Sequence, residues 1–219
     1  MKTIILFFLS LSCFAAKPSN SIQVSIPEGA NGKYILVIPA KKYSMKGELF
    51  QKIKREALRR SYAVLQFDWS FYTKNIEPTK SLRAEARELN ELIDYFQETY
   101  GFQKNELIII AKSFGSRVLS KIRTQNLGPI ALVTPNCDSI STFYKTYGKL
   151  LNHKQKMQIS ISVDDPYCNV EQIYNSASYF TKKITLYTST GDHNFVSKEN
   201  VFNQDIMISQ LVNWIYTNP

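Results

Sequence analysis

The chain has 219 residues, enough for one sizeable core and too few for two comfortable domains. It is 44% hydrophobic and 13% aromatic, so it should fold as a globular protein. Its formal net charge of +9 points first to nucleic acid or an anionic membrane. The basic residues do not cluster, however. Lys52-Ile53-Lys54-Arg55 and Arg59-Arg60 read as the solvated face of a helix, and Lys182-Lys183 flanks a strand. There is no arginine–aromatic stripe, no pair of zinc ligands and no nucleic-acid module, so a nucleic-acid partner is set aside. The positive field is read as favouring anionic surfaces or substrates.

In chain order, residues 1–15 read as a secretory signal. Lys2 gives a positive start, Ile4 to Leu11 a short apolar core, and Cys13-Phe14-Ala15 a small-residue cleavage site after Ala15. The apolar run is too short for a stable membrane anchor, and Ser10-Leu11-Ser12 fits a lipobox poorly. The expectation is export to the periplasm or the medium, leaving residues 16–219 as a single domain; an uncleaved N-terminal anchor is the alternative. Cleavage leaves Cys137 and Cys168, an even pair that suggests a disulfide in an oxidising compartment.

Ile22–Ile26 alternates as a half-buried strand does, and Tyr34–Ile38 is apolar throughout, the mark of a strand buried on both faces. A loop, Pro39–Ser44, leads to a helix from Met45 to about Arg60, with Ser44 as a candidate N-cap. Tyr62–Phe67 is the next strand, and Asp68 to Lys74 leads into a polar loop. Ser81 is a candidate cap for a long helix that stops at Gly101. Four branched apolar residues, Leu107 to Ile110, then run into Ala111-Lys112-Ser113-Phe114-Gly115 and a helical pattern. A strand, a tight turn with one serine and a helix are the parts of a nucleophile elbow, here with alanine at the first glycine position. Further strands are expected at Pro129–Val133, Met157–Val163 and Ile184–Tyr187, and helices at Ser141–Leu151, Val170–Ser178 and through Ile206 to Ile215. Apolar strands alternating with amphipathic helices predict an α/β fold: a mostly parallel sheet with helices on both faces.

In such a sheet, functional groups collect at the carboxyl ends of the strands. Ser113 follows one strand, Asp164-Asp165 another and His193 the last, the serine–acid–histidine order of the α/β-hydrolases. Only His153, in a polar helix end, competes as the histidine. Asp192 reads as a turn residue, and Asp68 as a cap or loop hydrogen-bonding group.

The sequence resembles the small, lidless, dienelactone-hydrolase-like branch of the α/β-hydrolase superfamily over about residues 22–217. That branch commonly carries Gly-Lys-Ser-Met-Gly-Gly-Arg at the elbow, an acid before proline, and histidine in Gly-x-Asp-His-x-Phe. This chain has Ala111-Lys112-Ser113-Phe114-Gly115-Ser116-Arg117, Asp165-Pro166 and Gly191-Asp192-His193-Asn194-Phe195. The resemblance implies a minimal α/β-hydrolase fold and an esterase- or thioesterase-like reaction. Ser113 would be the nucleophile, His193 the base and Asp165 the acid that orients it, with Asp164 as the alternative acid. The Phe114 N–H would be one oxyanion donor. The family's His-Gly-rich loop is replaced by Pro39-Ala40-Lys41-Lys42-Tyr43-Ser44, where the Lys41 N–H is the donor by position. Trp69, Phe71, Tyr72, Phe114, Tyr167 and Phe195 are candidates for an apolar acyl pocket or for core packing. About twenty residues separate Val133 from Met157, which leaves no room for a large lid. The reading calls for a small-molecule acyl substrate and for no metal or cofactor. It leaves the oligomeric state open. Its alternative is a non-catalytic relative that binds an anionic ligand or partner. Cys137 and Cys168 are expected to tie the two loops that carry them.

Overall fold

The computed structural model describes residues 21–122, 127–136, 147, 150, 156–177, 184–197 and 203–218. The expected signal 1–15, Cys137, His153 and most of the expected helix 141–151 lie outside the described residues.

Seven strands form one sheet: β1 (Ile22–Ser25), β2 (Tyr34–Ile38), β3 (Ala63–Phe67), β4 (Leu107–Lys112), β5 (Ile130–Val133), β6 (Met157–Ser162) and β7 (Ile184–Ser189). Their order is β1-β3-β2-β4-β5-β6-β7. Only β1 is antiparallel, paired with β3; the others run parallel. The strands written as unbroken apolar runs lie in the middle and are buried along their length, while β1 and β7 at the edges are half-exposed. This is the burial a parallel sheet imposes when both faces are covered.

The period of two sends alternate strand residues to opposite faces. On one face, Leu36, Ile38, Leu65, Phe67, Ile109, Leu132 and Ile159 pack against α3 (Arg83–Tyr100), α4 (Phe114–Leu119) and α5 (Val170–Ala177). On the other, Ile35, Val37, Val64, Ile108, Ile110 and Val133 pack against α1 (Glu48–Arg59) and the C-terminal helix α6 (Asn203–Thr217).

Three local expectations need correction. Helix α1 begins at Glu48 after Gly47, so Ser44 is not its cap. The Ser44 hydroxyl instead donates to Asp68 at 3.0 Å and accepts the Lys46 N–H at 3.1 Å. Leu82, with φ 57°, takes the position before α3, and Ser81 lies one residue earlier; Gly101, with φ 70°, ends that helix as expected. Residues Ser70–Thr73, in the stretch that leads into the polar loop, form a short helix, α2, that the sequence does not predict. Buried Trp69 and Phe71 anchor it, and Glu88 accepts both the Ser70 N–H and its hydroxyl. Four residues are too few to show a helical period in the sequence.

Candidate active site

The carboxyl ends of β2, β4, β6 and β7 converge on one cleft of about 740 Å³, lined among others by Ala40, Lys41, Ser113, Phe114, Arg117, Tyr167 and His193. At its centre β4 stops at Lys112 and α4 starts at Phe114, with Ser113 alone between them. Its N–H completes the ladder to the Val133 carbonyl at 3.1 Å, and its carbonyl accepts the Ser116 N–H at 3.0 Å. To serve both elements the residue takes φ 47°, ψ −112°, a backbone strained for any side chain but glycine. Its hydroxyl makes no capping hydrogen bond to the helix. A serine that merely capped α4 would be held by its side chain, not by strain.

The turn is possible because Gly115 has no side chain. A Cβ there would lie 2.7 Å from the Pro39 carbonyl and 2.9 Å from that of Ile38. The helix start is therefore pressed against the loop that leaves β2.

His193 sits on the loop after β7. Gly191, with φ 110°, turns the chain. The Asp192 carboxylate then accepts the Asn194 and Val196 N–H groups at 2.7 and 3.1 Å, which makes it the turn residue expected. The ring Nδ1 of His193 is 2.8 Å from Asp165 Oδ2. The Asp165 side chain is fully buried and that of His193 is 13% exposed. The other Asp165 oxygen accepts the Tyr167 N–H at 2.8 Å. With Nδ1 turned to a carboxylate, Nε2 is the ring nitrogen left for the cleft. Asp164 points elsewhere and accepts the Gly191 N–H at 3.2 Å, bracing the histidine loop by its backbone. The structure thus brings Ser113, His193 and Asp165 to one place and leaves Asp164 beside them.

The loop Pro39–Met45 holds its shape without glycine. The Trp69 indole donates to the Pro39 carbonyl at 3.0 Å. Asp68 accepts the Ser44 hydroxyl and, at 2.6 Å, the Met45 N–H. Asn194 donates to the Tyr43 hydroxyl at 2.9 Å, joining this loop to the histidine loop. Lys41 lines the cleft while its ammonium pairs with Glu77.

The aromatic candidates divide. Tyr167 is 55% exposed, lines the cleft and meets the His193 ring edge-on with centroids 4.8 Å apart. Phe114 also lines it. Trp69 and Phe195 are fully buried and do not. Trp69 belongs to an aromatic cluster with Phe67, Phe71 and Phe114 behind the elbow, and Phe195 to the core under α6. Apolar rings next to strand ends are drawn into the two cores, so adjacency to the site in sequence does not place them in it. Phe71 is buried, and neither it nor the more exposed Tyr72 lines the cleft.

Sequence reasoning passed over Lys112. It is 1% exposed, and its ammonium donates to the Thr134 hydroxyl and to the His193 carbonyl, each at 2.8 Å. Burial pushes its pKa from 10.5 down to about 7, against the attraction of Asp165 and Asp192. The available signal was a charged residue closing a buried strand. Among the described residues, no group of three or more histidine, cysteine, aspartate or glutamate side chains is arranged to hold a metal ion.

No protein-family model matches the sequence, and no curated protein matches it in sequence. Solved structures do match in fold. An alpha-beta serine hydrolase homologue from Coxiella burnetii superposes with a TM-score of 0.67 at 13% identity, over 87% of this chain and 90% of that one. A serine hydrolase without lid from Xanthomonas campestris also gives 0.67 at 13%, over 88% of each chain. Est1E from Butyrivibrio proteoclasticus, with ferulic acid bound, gives 0.71 at 9%, over 91% of this chain and 95% of that one. These likenesses, a seven-stranded sheet with one antiparallel edge strand and an elbow at the end of β4 make this chain an α/β-hydrolase-fold protein.

Proposed function

We propose that the protein is a serine hydrolase that cleaves small ester, thioester or related acyl bonds through an acyl-enzyme. The observation that carries this reading is Ser113. It is held at φ 47° and ψ −112° with its hydroxyl uncapped, on the same cleft as a histidine whose other nitrogen faces a buried carboxylate. A serine hydroxyl needs a base before it attacks. His193 Nε2 takes the proton as Ser113 Oγ bonds to the carbonyl carbon, then returns it to the leaving group. Asp165 fixes the Nδ1–H tautomer and stabilises the imidazolium. The N–H groups of Phe114 and Lys41 receive the oxyanion; one such donor contributes about 3 kcal/mol to a transition state. Water, activated by the same histidine, then releases the acid. Tyr167, beside the imidazole, is the wall against which the acyl group packs.

Lys42 and Arg117 on the cleft favour a substrate with a negative charge. The same residues support the second reading, a binding protein for an anionic ligand. Export and a Cys137–Cys168 disulfide complete the proposal. Cys168 is 3% exposed and lies three residues after Asp165, where a bond would steady the acid's loop.

A panel of short p-nitrophenyl esters and thioesters, neutral and carboxylate-bearing, tests the hydrolase reading. Turnover by the wild type that is lost in Ser113→Ala is expected. No turnover of any of them, with salt-sensitive anion binding unchanged in Ser113→Ala, would favour the binding protein.

A further inference from the structure

We propose that Lys112 is the positioning residue for His193: its side-chain amine ties the histidine's carbonyl to the end of β5 and so sets the imidazole between Asp165 and Ser113. The proposal rests on the serine-hydrolase reading above.

A fully buried lysine is costly unless something holds it. Among the described residues, Lys112 forms no ion pair with a carboxylate within salt-bridge distance. Its two partners are neutral oxygens from different elements, the Thr134 hydroxyl just past β5 and the His193 carbonyl on the loop after β7. Neither bond supports the β4 ladder, which the backbone already makes with β2 and β5. The second reaches a residue 81 positions away, the one bearing the imidazole. Asp165 therefore holds that residue by its ring and Lys112 by its main chain. Two restraints on opposite sides of the Cα fix the direction of Nε2, where one would leave the ring free to swing about it.

The groups facing the amine come from every neighbouring loop. Asp165 lies on the loop after β6, Asp192 and His193 on the loop after β7, and the Tyr43 ring on the loop after β2, with its centroid 6.0 Å away. The two carboxylates attract the cation, and the imidazolium formed in the reaction repels it. Loss of the Lys112 proton near neutral pH removes that repulsion. The neutral amine keeps two N–H donors for its two acceptors. Geometry is retained while the opposing charge leaves. The reactivity of Ser113 should therefore rise with pH through the ionisation of Lys112.

The test is the second-order rate of labelling by a fluorophosphonate probe, measured from pH 5 to 9, with melting temperature recorded alongside. Lys112→Met is expected to melt no lower than the wild type at pH 7, because a costly buried amine is gone. It should label about 100-fold more slowly, the cost of a displaced catalytic group, with the Lys112 ionisation gone from its profile. Thr134→Val keeps the amine but removes one acceptor. It should move the Lys112 ionisation to lower pH and slow labelling less. Unchanged rates and profiles in both variants would overturn the positioning role and leave the serine-hydrolase reading standing. So would a rate loss that only follows a fall in melting temperature. A wild type that does not label at Ser113 would overturn both.

Discussion

Two neighbouring aspartates with nearly the same sequence context have different partners, and the difference can be measured. Asp165 is buried against the His193 ring, while Asp164 braces Gly191 from a more exposed position. Asp165→Asn should lower kcat by about 10³- to 10⁴-fold, because an amide donates where the imidazole N–H needs an acceptor. Asp164→Asn keeps an oxygen for the Gly191 N–H and should cost less than about 10-fold, corresponding to ~1 kcal/mol for one altered hydrogen bond. Steady-state kinetics on one ester would show the contrast, and equal losses would contradict the assignment. That Ser113, Asp165 and His193 come together was legible in the sequence because each follows a strand, and the sheet gathers strand ends. Trp69 and Phe195 misled because a ring beside a strand end is as well suited to the core as to a pocket. Lys112 was undervalued for the converse reason: its role depends on His193, a partner far along the chain, and no local pattern announces such a contact. Asp68 is the loop hydrogen-bonding group expected, holding Ser44 and Met45.

The elbow and the loop after β2 behave as one unit at the level of elements. Gly115 lets α4 rest on the Ile38 and Pro39 carbonyls, the Trp69 indole holds Pro39 from behind, and Asp68 closes the loop. Gly115→Ala would force these backbones apart. A loss of about 1–3 kcal/mol from overpacking is expected, together with slower Ser113 chemistry. Denaturant unfolding and ester turnover read the two effects, and an unperturbed variant would deny the contact. The sequence predicted all seven strands because their residues either run apolar throughout or alternate at the period of two. The loop's shape was not readable. Glycines in such a loop signal a close backbone approach, and here the support comes from the side chains of Asp68 and Trp69 past the end of β3 and of Asn194 on the histidine loop.

For the whole molecule, the buried lysine links stability to pH. Unfolded, Lys112 holds its proton up to about its ordinary pKa of 10.5; folded, it loses it near 7. Between these values the unfolded chain binds more protons, so this group's contribution to stability rises with pH, by about 1.4 kcal/mol per unit at most. Below pH 7 its cost is fully present. The stability advantage of Lys112→Met over the wild type should thus be largest near pH 6 and shrink towards pH 10; a constant difference in thermal melts would contradict this. The net charge of +9 belongs to the same scale. Turnover of a carboxylate-bearing ester should fall with added salt more than that of its neutral analogue, since Lys42 and Arg117 on the cleft are screened. The central claim, that Ser113 is a nucleophile activated by His193, is tested most directly by intact and peptide mass spectrometry after exposure to a fluorophosphonate. The account predicts a single adduct on the peptide carrying Ser113, absent in Ser113→Ala and strongly reduced in His193→Ala. No adduct in the folded wild type, or one that forms equally well without His193, would contradict it.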